Sequence, residues 1–222
     1  VRDEMNFVER ITGTITDPRN TMKSIAEVPM IEEGVVIVGI YAVLSAISTY
    51  IQSSKFIYIM EGFENMAAFQ ESMAIFSIVT AILGPFIFWL IGTGIIHLIS
   101  MAFGGEGKFY PQMMTVSGYS TIPLLFSGVL GIALFSVMEP MNITISATNP
   151  MATEIYSNPY IIASTAAGIM TQIWAAIIFV FGVQSSHKLT VKKSAIAVGI
   201  PLAFNLMLAL IPALLSMWRF SS

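Results

Sequence analysis

Cysteine is absent from this 222-residue chain, which excludes disulfides, thiol nucleophiles and cysteine-ligated metals. Charge is scarce: only 10% of residues are Asp, Glu, Lys or Arg, against about 25% in an average soluble domain. No charged residue falls near the middle of any long apolar run. Ion-coupled pumps and proton relays keep ionisable groups there, so coupled transport is not expected. Histidine occurs twice, as His97 and His187, with no carboxylate partner identified, and no metal site or cofactor is assigned. The Gly-x-Ser-x-Gly and His-Glu-x-x-His patterns are missing, and Gly104-Gly105-Glu106-Gly107 lacks the Gly-Lys-Ser/Thr of a phosphate-cradling loop. No catalytic residue is assigned, and the chain reads as a non-enzyme. The first 33 residues mix charged and apolar side chains rather than running from basic to apolar, so no cleavable signal peptide is expected.

Apolar residues are abundant, at 55% with a mean hydropathy of +0.79. They fall in five runs of about 20 residues or more, the length that crosses ~30 Å of hydrocarbon at ~1.5 Å per residue. The runs are 34–53, 73–103, 118–138, 160–183 and 194–217. The fold expected is all-α, a polytopic membrane bundle of five transmembrane helices with short amphipathic helices before it. Residues 1–33 form the amphipathic part, 34–217 the membrane domain and 218–222 a short tail. The second run exceeds the spanning minimum by about ten residues and should tilt or protrude.

Orientation follows from the basic residues. Arg2, Arg10, Arg19, Lys23, Lys108, Lys188, Lys192 and Lys193 fall on one side, and Lys55 and Arg219 on the other. The positive-inside bias then puts the amino terminus in the cytoplasm and, after an odd number of spans, the carboxyl terminus outside. Tyr50, Tyr58, Tyr156, Tyr160 and Trp218 would lie at the outer interface, and Tyr110 and Tyr119 at the inner one.

Within the first 33 residues, Met5, Val8, Ile11 and Ile15 share one helical face, with Glu4, Glu9 and Arg10 elsewhere. Asp17-Pro18 is a cap and a first-turn proline, opening a second helix that turns Met22 and Ile25 inward and stops at Pro29. Seven acidic against four basic residues in this segment argue against anchoring to anionic lipid and against nucleic acid. On the other side, residues 54–72 suggest an interfacial helix with Phe56, Ile57, Ile59, Phe63 and Phe69 on its apolar face. Residues 139–159, without Lys or Arg and with two Asn-Pro pairs, read as a turn-rich loop. That loop carries Asn142-Ile143-Thr144, a match to the glycosylation acceptor pattern.

Two sets of residues stand out as candidates for function. Thr93, Gln172, Asn205 and the span prolines Pro201 and Pro212 could line a cavity or gate, because each proline removes a backbone donor. The stretch FGGEGKFYPQMMTVSGYSTIP, residues 103–123, crowds glycine, charge and aromatics between two apolar runs. Gly104-Gly105 can end the second span in the left-handed conformation, Glu106 and Lys108 mark the water boundary, and Pro111 can start the returning helix. His97, Gly104, Gly105, Glu106, Gly107, Lys108, Gly118, Tyr119 and Pro123 are the candidate functional turn, with Tyr119 within reach of His97 or a headgroup.

The order His97-Leu98, Gly104-Gly105-x-Gly107, Phe109, Val116, Gly118-Tyr119-Ser120 and Pro123-Leu124-Leu125 resembles the core of the YIP family, the five-span Ypt/Rab-interacting proteins. Asp17-Pro18 through Pro29 resembles the segment preceding that domain in prokaryotic relatives. The resemblance implies five spans with a cytoplasmic amino terminus, in the cytoplasmic membrane of a prokaryote or the endomembranes of a eukaryote. It also implies a role in membrane organisation or vesicle trafficking through partner proteins. Eukaryotic relatives carry a longer hydrophilic amino-terminal region with an Asp-Leu-Tyr-Gly-Pro motif. Its absence here does not favour a small GTPase as partner and points to a prokaryotic-type member. The partners expected are membrane lipid and a membrane protein, either another protein or a second copy of the chain. The competing expectation is a small transporter, channel or lipid-translocating protein that uses the proline-loosened interior.

Overall fold

The computed structural model describes residues 5–60, 66–146 and 153–221, and side chains at all of these except 66–67, 153–154 and 212–221. Two short helices come first, α1 (Phe7–Thr16) and α2 (Pro18–Glu27). Asn6 and Glu9 close α1 with a reciprocal capping box at 3.0 and 2.8 Å, which satisfies donors that a helix start leaves open. Asp17 caps α2 and Pro18 sits in its first turn. Met22 and Ile25 are fully buried, as their spacing predicts.

The long helices follow: α3 (Ile31–Lys55), α4 (Met66–Ala102), α5 (Met114–Ser120) with α6 (Ile122–Val137), α7 (Pro159–His187) and α8 (Val191–Ser221). Five of these segments, counting residues 109–137 as one, are long and apolar enough to cross a membrane. They pack as a ring in which α3 lies between α4 and α6, α7 between α6 and α8, and α8 closes against α4. The outward faces remain apolar: Phe76, Phe88 and Leu98 of α4 are all well exposed. Such a surface is stable only against lipid.

The third span is broken. Thr121 interrupts it at φ −79°, ψ −8°, just ahead of Pro123, whose ring cannot continue the hydrogen bonding of α5. Every residue from Met113 to Ser120 is buried, because α5 packs against α2, α3, α4 and α7 at the mouth of the ring. Gly118 makes that position accessible: a Cβ there would lie 2.7 Å from Gly34 Cα, so the α3 and α5 backbones meet directly. The two amino-terminal helices lie over the same end, with α2 against α7 and α5, and α1 against α2, α5 and α6.

At the opposite end the structure differs from the sequence reading. Residues 56–60 are a strand, β1 (Phe56–Met60), not part of an interfacial helix, and residues 66–72 already belong to α4. Residues 61–65, including Phe63, lie outside the described residues. The stretch read as a loop supplies β2 (Met141–Ile145) and a single 3₁₀ turn, Thr153–Ser157. The strands pair in parallel, with Phe56 opposite Met141 and Met60 opposite Ile145. Phe-Ile-Tyr-Ile-Met suits a half-buried strand as well as a helix face. The deciding factor is β2, 85 residues away in sequence and brought alongside by the packing of α3 and α6.

The buried face of α1 also differs. Val8 is 65% exposed, whereas Arg10 and Thr14 are buried, beside the half-buried Phe7, Ile11 and Ile15. The helix turns a charged residue inward because the end of the ring offers it a partner.

Candidate functional site

That partner is Glu33, in the first turn of α3. Arg10 Nη1 lies 3.1 Å from Glu33 Oε2 and donates to the Val28 carbonyl at 3.2 Å, and its Nε donates to the Met5 carbonyl at 3.1 Å. Tyr119, fully buried in α5, donates its hydroxyl to the same carboxylate oxygen at 2.5 Å. Phe7 meets the Tyr119 ring edge-on, with centroids 6.4 Å apart. One carboxylate therefore joins α1, α3 and α5. A buried ion pair of this kind, with its remaining donors satisfied, fixes one docking geometry. Tyr119 is not an interfacial anchor and does not meet His97.

His97 pairs instead with His187, the last residue of α7. His97 Nδ1 and His187 Nε2 are 3.1 Å apart, and the Gly107 N–H points at His187 Nδ1 at 3.2 Å. Because His187 Nδ1 accepts from the backbone, the neutral ring carries its proton on Nε2 and donates to His97 Nδ1. This tautomer is assigned from the hydrogen-bond network. Among the described residues no group of three or more metal-ligating side chains is present.

The turn from α4 to α5 is thereby clipped to the turn from α7 to α8. Glu106 N–H donates to the His187 carbonyl, Lys188 Nζ bonds Glu106 at 2.9 Å, and Lys193 Nζ donates to the Phe103 carbonyl at 2.9 Å. Gly104 takes φ +86° and ends α4, a conformation that favours glycine. Gly105 is required for room rather than for φ, since a Cβ there would lie 2.5 Å from His187 Nδ1 and 2.8 Å from the Ser100 carbonyl. Lys108 and Tyr110 are exposed, and residues 109–113 form a wide turn with Tyr110 extended. Helix α5 begins only at Met114.

The remaining sequence candidates are scattered. Thr93 is buried and donates to Ser117 Oγ at 2.7 Å, and Trp89 Nε1 reaches the same oxygen at 2.8 Å. Gln172 is half-buried, Pro201 is half-buried on α8, and Asn205 is exposed on that helix. The Pro212 side chain lies outside the described residues. A small polar cleft instead opens between α3, α6 and α7, lined by Tyr41, Ser45, Ser48, Ser127 and Ser164 among others, with a volume of about 170 Å³.

The turn at residues 103–123 and the five long helices fall almost wholly within one known sequence domain. The Yip1 domain matches residues 12–212 of the chain. The chain belongs to the Yip1 domain family. A relative in Methanocaldococcus jannaschii, described as an uncharacterized protein, is 30% identical over 140 residues, 62% of this chain and 94% of its own length. No solved structure matches the chain. Arg10 and Glu33 were missed in the sequence, and His187 was noted without its pairing to His97, because nothing local marks these contacts. Arg10 and Glu33 read as solvated charges, and His187 lies 90 positions from its partner.

Proposed function

We propose that this Yip1-family protein is a non-enzymatic membrane organiser, which recruits partner membrane proteins through the end of the bundle formed by α1, α2 and the 103–123 turn. The carrying observation is the tied-down cap: Arg10, Glu33 and Tyr119 lock two surface helices over α5, and the histidine pair locks the neighbouring turns beside them. The result is an ordered polar face of fixed shape on an otherwise lipid-covered bundle. The described basic residues apart from Lys55 and Arg219 gather at this end, which supports a cytoplasmic orientation by the positive-inside bias. Every described charged side chain lies near an end of the bundle, which supports a role other than ion-coupled transport.

The second reading, lipid translocation, is favoured by the polar cleft between α3, α6 and α7, since scrambling needs only a hydroxyl-lined path for headgroups. One paired experiment separates the two. Protein in sealed liposomes should show neither coupled ion or solute flux nor movement of fluorescent lipid between leaflets, and its association with itself or another membrane protein should survive mild detergent. Saturable solute transport would overturn the organiser reading. Scrambling lost on Ser45→Leu and Ser127→Leu would replace it with the lipid reading.

A further inference from the structure

A second feature lies at the same end, between α2 and the carboxyl-terminal turn of α7. An open cleft of about 830 Å³ is walled by Arg19 and Lys23 of α2 and by Gln184, Ser186 and Lys188. Three cations and one carboxylate, Glu27, face it, in a chain whose net charge is −3. Arg19 and Lys23 are exposed and make no ion pair among the described residues. Lys188 bonds Glu106, but both side chains are largely exposed, and such a pair is weak and screened. Its ammonium can therefore turn to an anion in the cleft at little cost.

The deciding observation is Ser186. It is 4% exposed, lines the cleft, and its Oγ is buried with no hydrogen-bond partner among the described residues. A helical serine ordinarily finds the carbonyl one turn back, as Ser100 does with Ile96 in α4. An unmet buried hydroxyl is destabilising unless something completes it. Turned about χ1 toward the cleft, that hydroxyl would donate to an anionic oxygen held between Arg19, Lys23 and Lys188. The volume exceeds what a lone oxyanion fills and leaves room for the organic part of an ester.

We propose that this cleft binds a phosphate group, carried either by a small soluble ester or by an anionic lipid headgroup. Arg19 offers planar, bidentate donors, Lys23 and Lys188 compact charges, and Ser186 a neutral donor once its hydroxyl turns toward the cleft. Glu27 and the amide of Gln184 face the ester's polar remainder. The cleft shares α2 and Gln112 with the partner-recruiting face, but phosphate binding there does not depend on that role.

Two probes test it on the full chain. Detergent-purified protein is titrated with inorganic phosphate and with glycerol 3-phosphate by calorimetry. In parallel, the chain is extracted from mixed phosphatidylcholine and phosphatidylglycerol vesicles, and the lipid it retains is counted by native mass spectrometry. Saturable uptake of the soluble anions identifies a soluble ligand, and selective retention of phosphatidylglycerol alone identifies a headgroup; either supports the site. Arg19→Gln with Lys23→Gln should weaken whichever is found about 10-fold or more, while Lys108→Gln with Lys192→Gln, an equal charge change outside the cleft, should leave it near wild type. Ser186→Ala should weaken binding several-fold while leaving the melting temperature of the ligand-free protein unchanged or higher, because it removes an unmet hydroxyl. The proposal is overturned by binding of neither probe, by equal loss in the cleft and control pairs, or by Ser186→Ala binding as wild type. Loss of partner association with the cleft intact would instead count against the organiser reading alone.

Discussion

Replacing Arg10 by methionine should release the cap from the bundle. The guanidinium is 1% exposed and gives hydrogen bonds to two carbonyls and to Glu33, which is 17% exposed. Removing one member of a buried pair costs about 3–5 kcal/mol, most of it from the charge left behind. Glu33 keeps some access to water and keeps the Tyr119 hydroxyl, so the lower end, about 3 kcal/mol, is the reasoned value. The loss falls on the docking of α1 and α2, not on the transmembrane ring, whose helices hold their own backbone hydrogen bonds in lipid. About 3 kcal/mol is on the order of a hundredfold in the open fraction of the cap. The cysteine-free background makes this directly measurable. Thr14 is fully buried, so the maleimide labelling rate of a Thr14→Cys protein reports cap opening, and it should rise about a hundredfold when Arg10→Met is added. Arg10→Met with Glu33→Met should recover more than half of the loss, because no charge is then stranded. An unchanged labelling rate in Arg10→Met, or a double variant no better than the single one, would refute the claim that this ion pair docks the cap.

At the α4–α5 turn the two glycines should respond for different reasons. Gly104→Ala should cost about 1 kcal/mol through its positive φ, while Gly105→Ala should cost about 1–3 kcal/mol by displacing His187. Melting curves of the two proteins in detergent check the order, and NMR of the histidine ring protons should change only in Gly105→Ala. For topology, a single Lys108→Cys protein in intact cells should label only with a membrane-permeant reagent; labelling by an impermeant one would reverse the orientation. Asn205→Leu should leave stability and association unchanged, because that side chain is exposed on α8; a large loss in either would require an interior role. At the far end, burial holds the Tyr58 phenol above its ordinary value of 10.0. The unfolded chain then releases this proton first as pH rises, so the contribution is complete below about pH 10 and is lost above it, and Tyr58→Phe should flatten that decline in a pH series of melts.

Composition by itself determined the class of this protein. With 55% apolar residues, 10% charged and five apolar runs of membrane-crossing length, an all-helical bundle in lipid is the arrangement that satisfies the backbone. The caps at Asn6 and Asp17 and the inward face of α2 are also local, since each depends on neighbours within about four residues. The motifs around His97 and Gly104–Pro123 were enough to suggest the family. The tertiary structure alone decided what those residues touch. Glu33 stands at the start of a span and reads as a boundary charge until Arg10 and Tyr119 reach it from α1 and α5. The His97–His187 pair requires the ring to bring α4 and α7 together at one end. The strand pair at the other end exists only because α3 and α6 deliver two separate segments side by side. Ser186 shows the same limit: its sequence neighbours give no sign that its hydroxyl ends without a partner, a fact created by packing across the mouth of the bundle. Helix formation and lipid exposure are short-range or averaged properties and can be summed along the chain. Contacts between residues 20 to 90 positions apart depend on which helix faces are left to meet once the ring has closed.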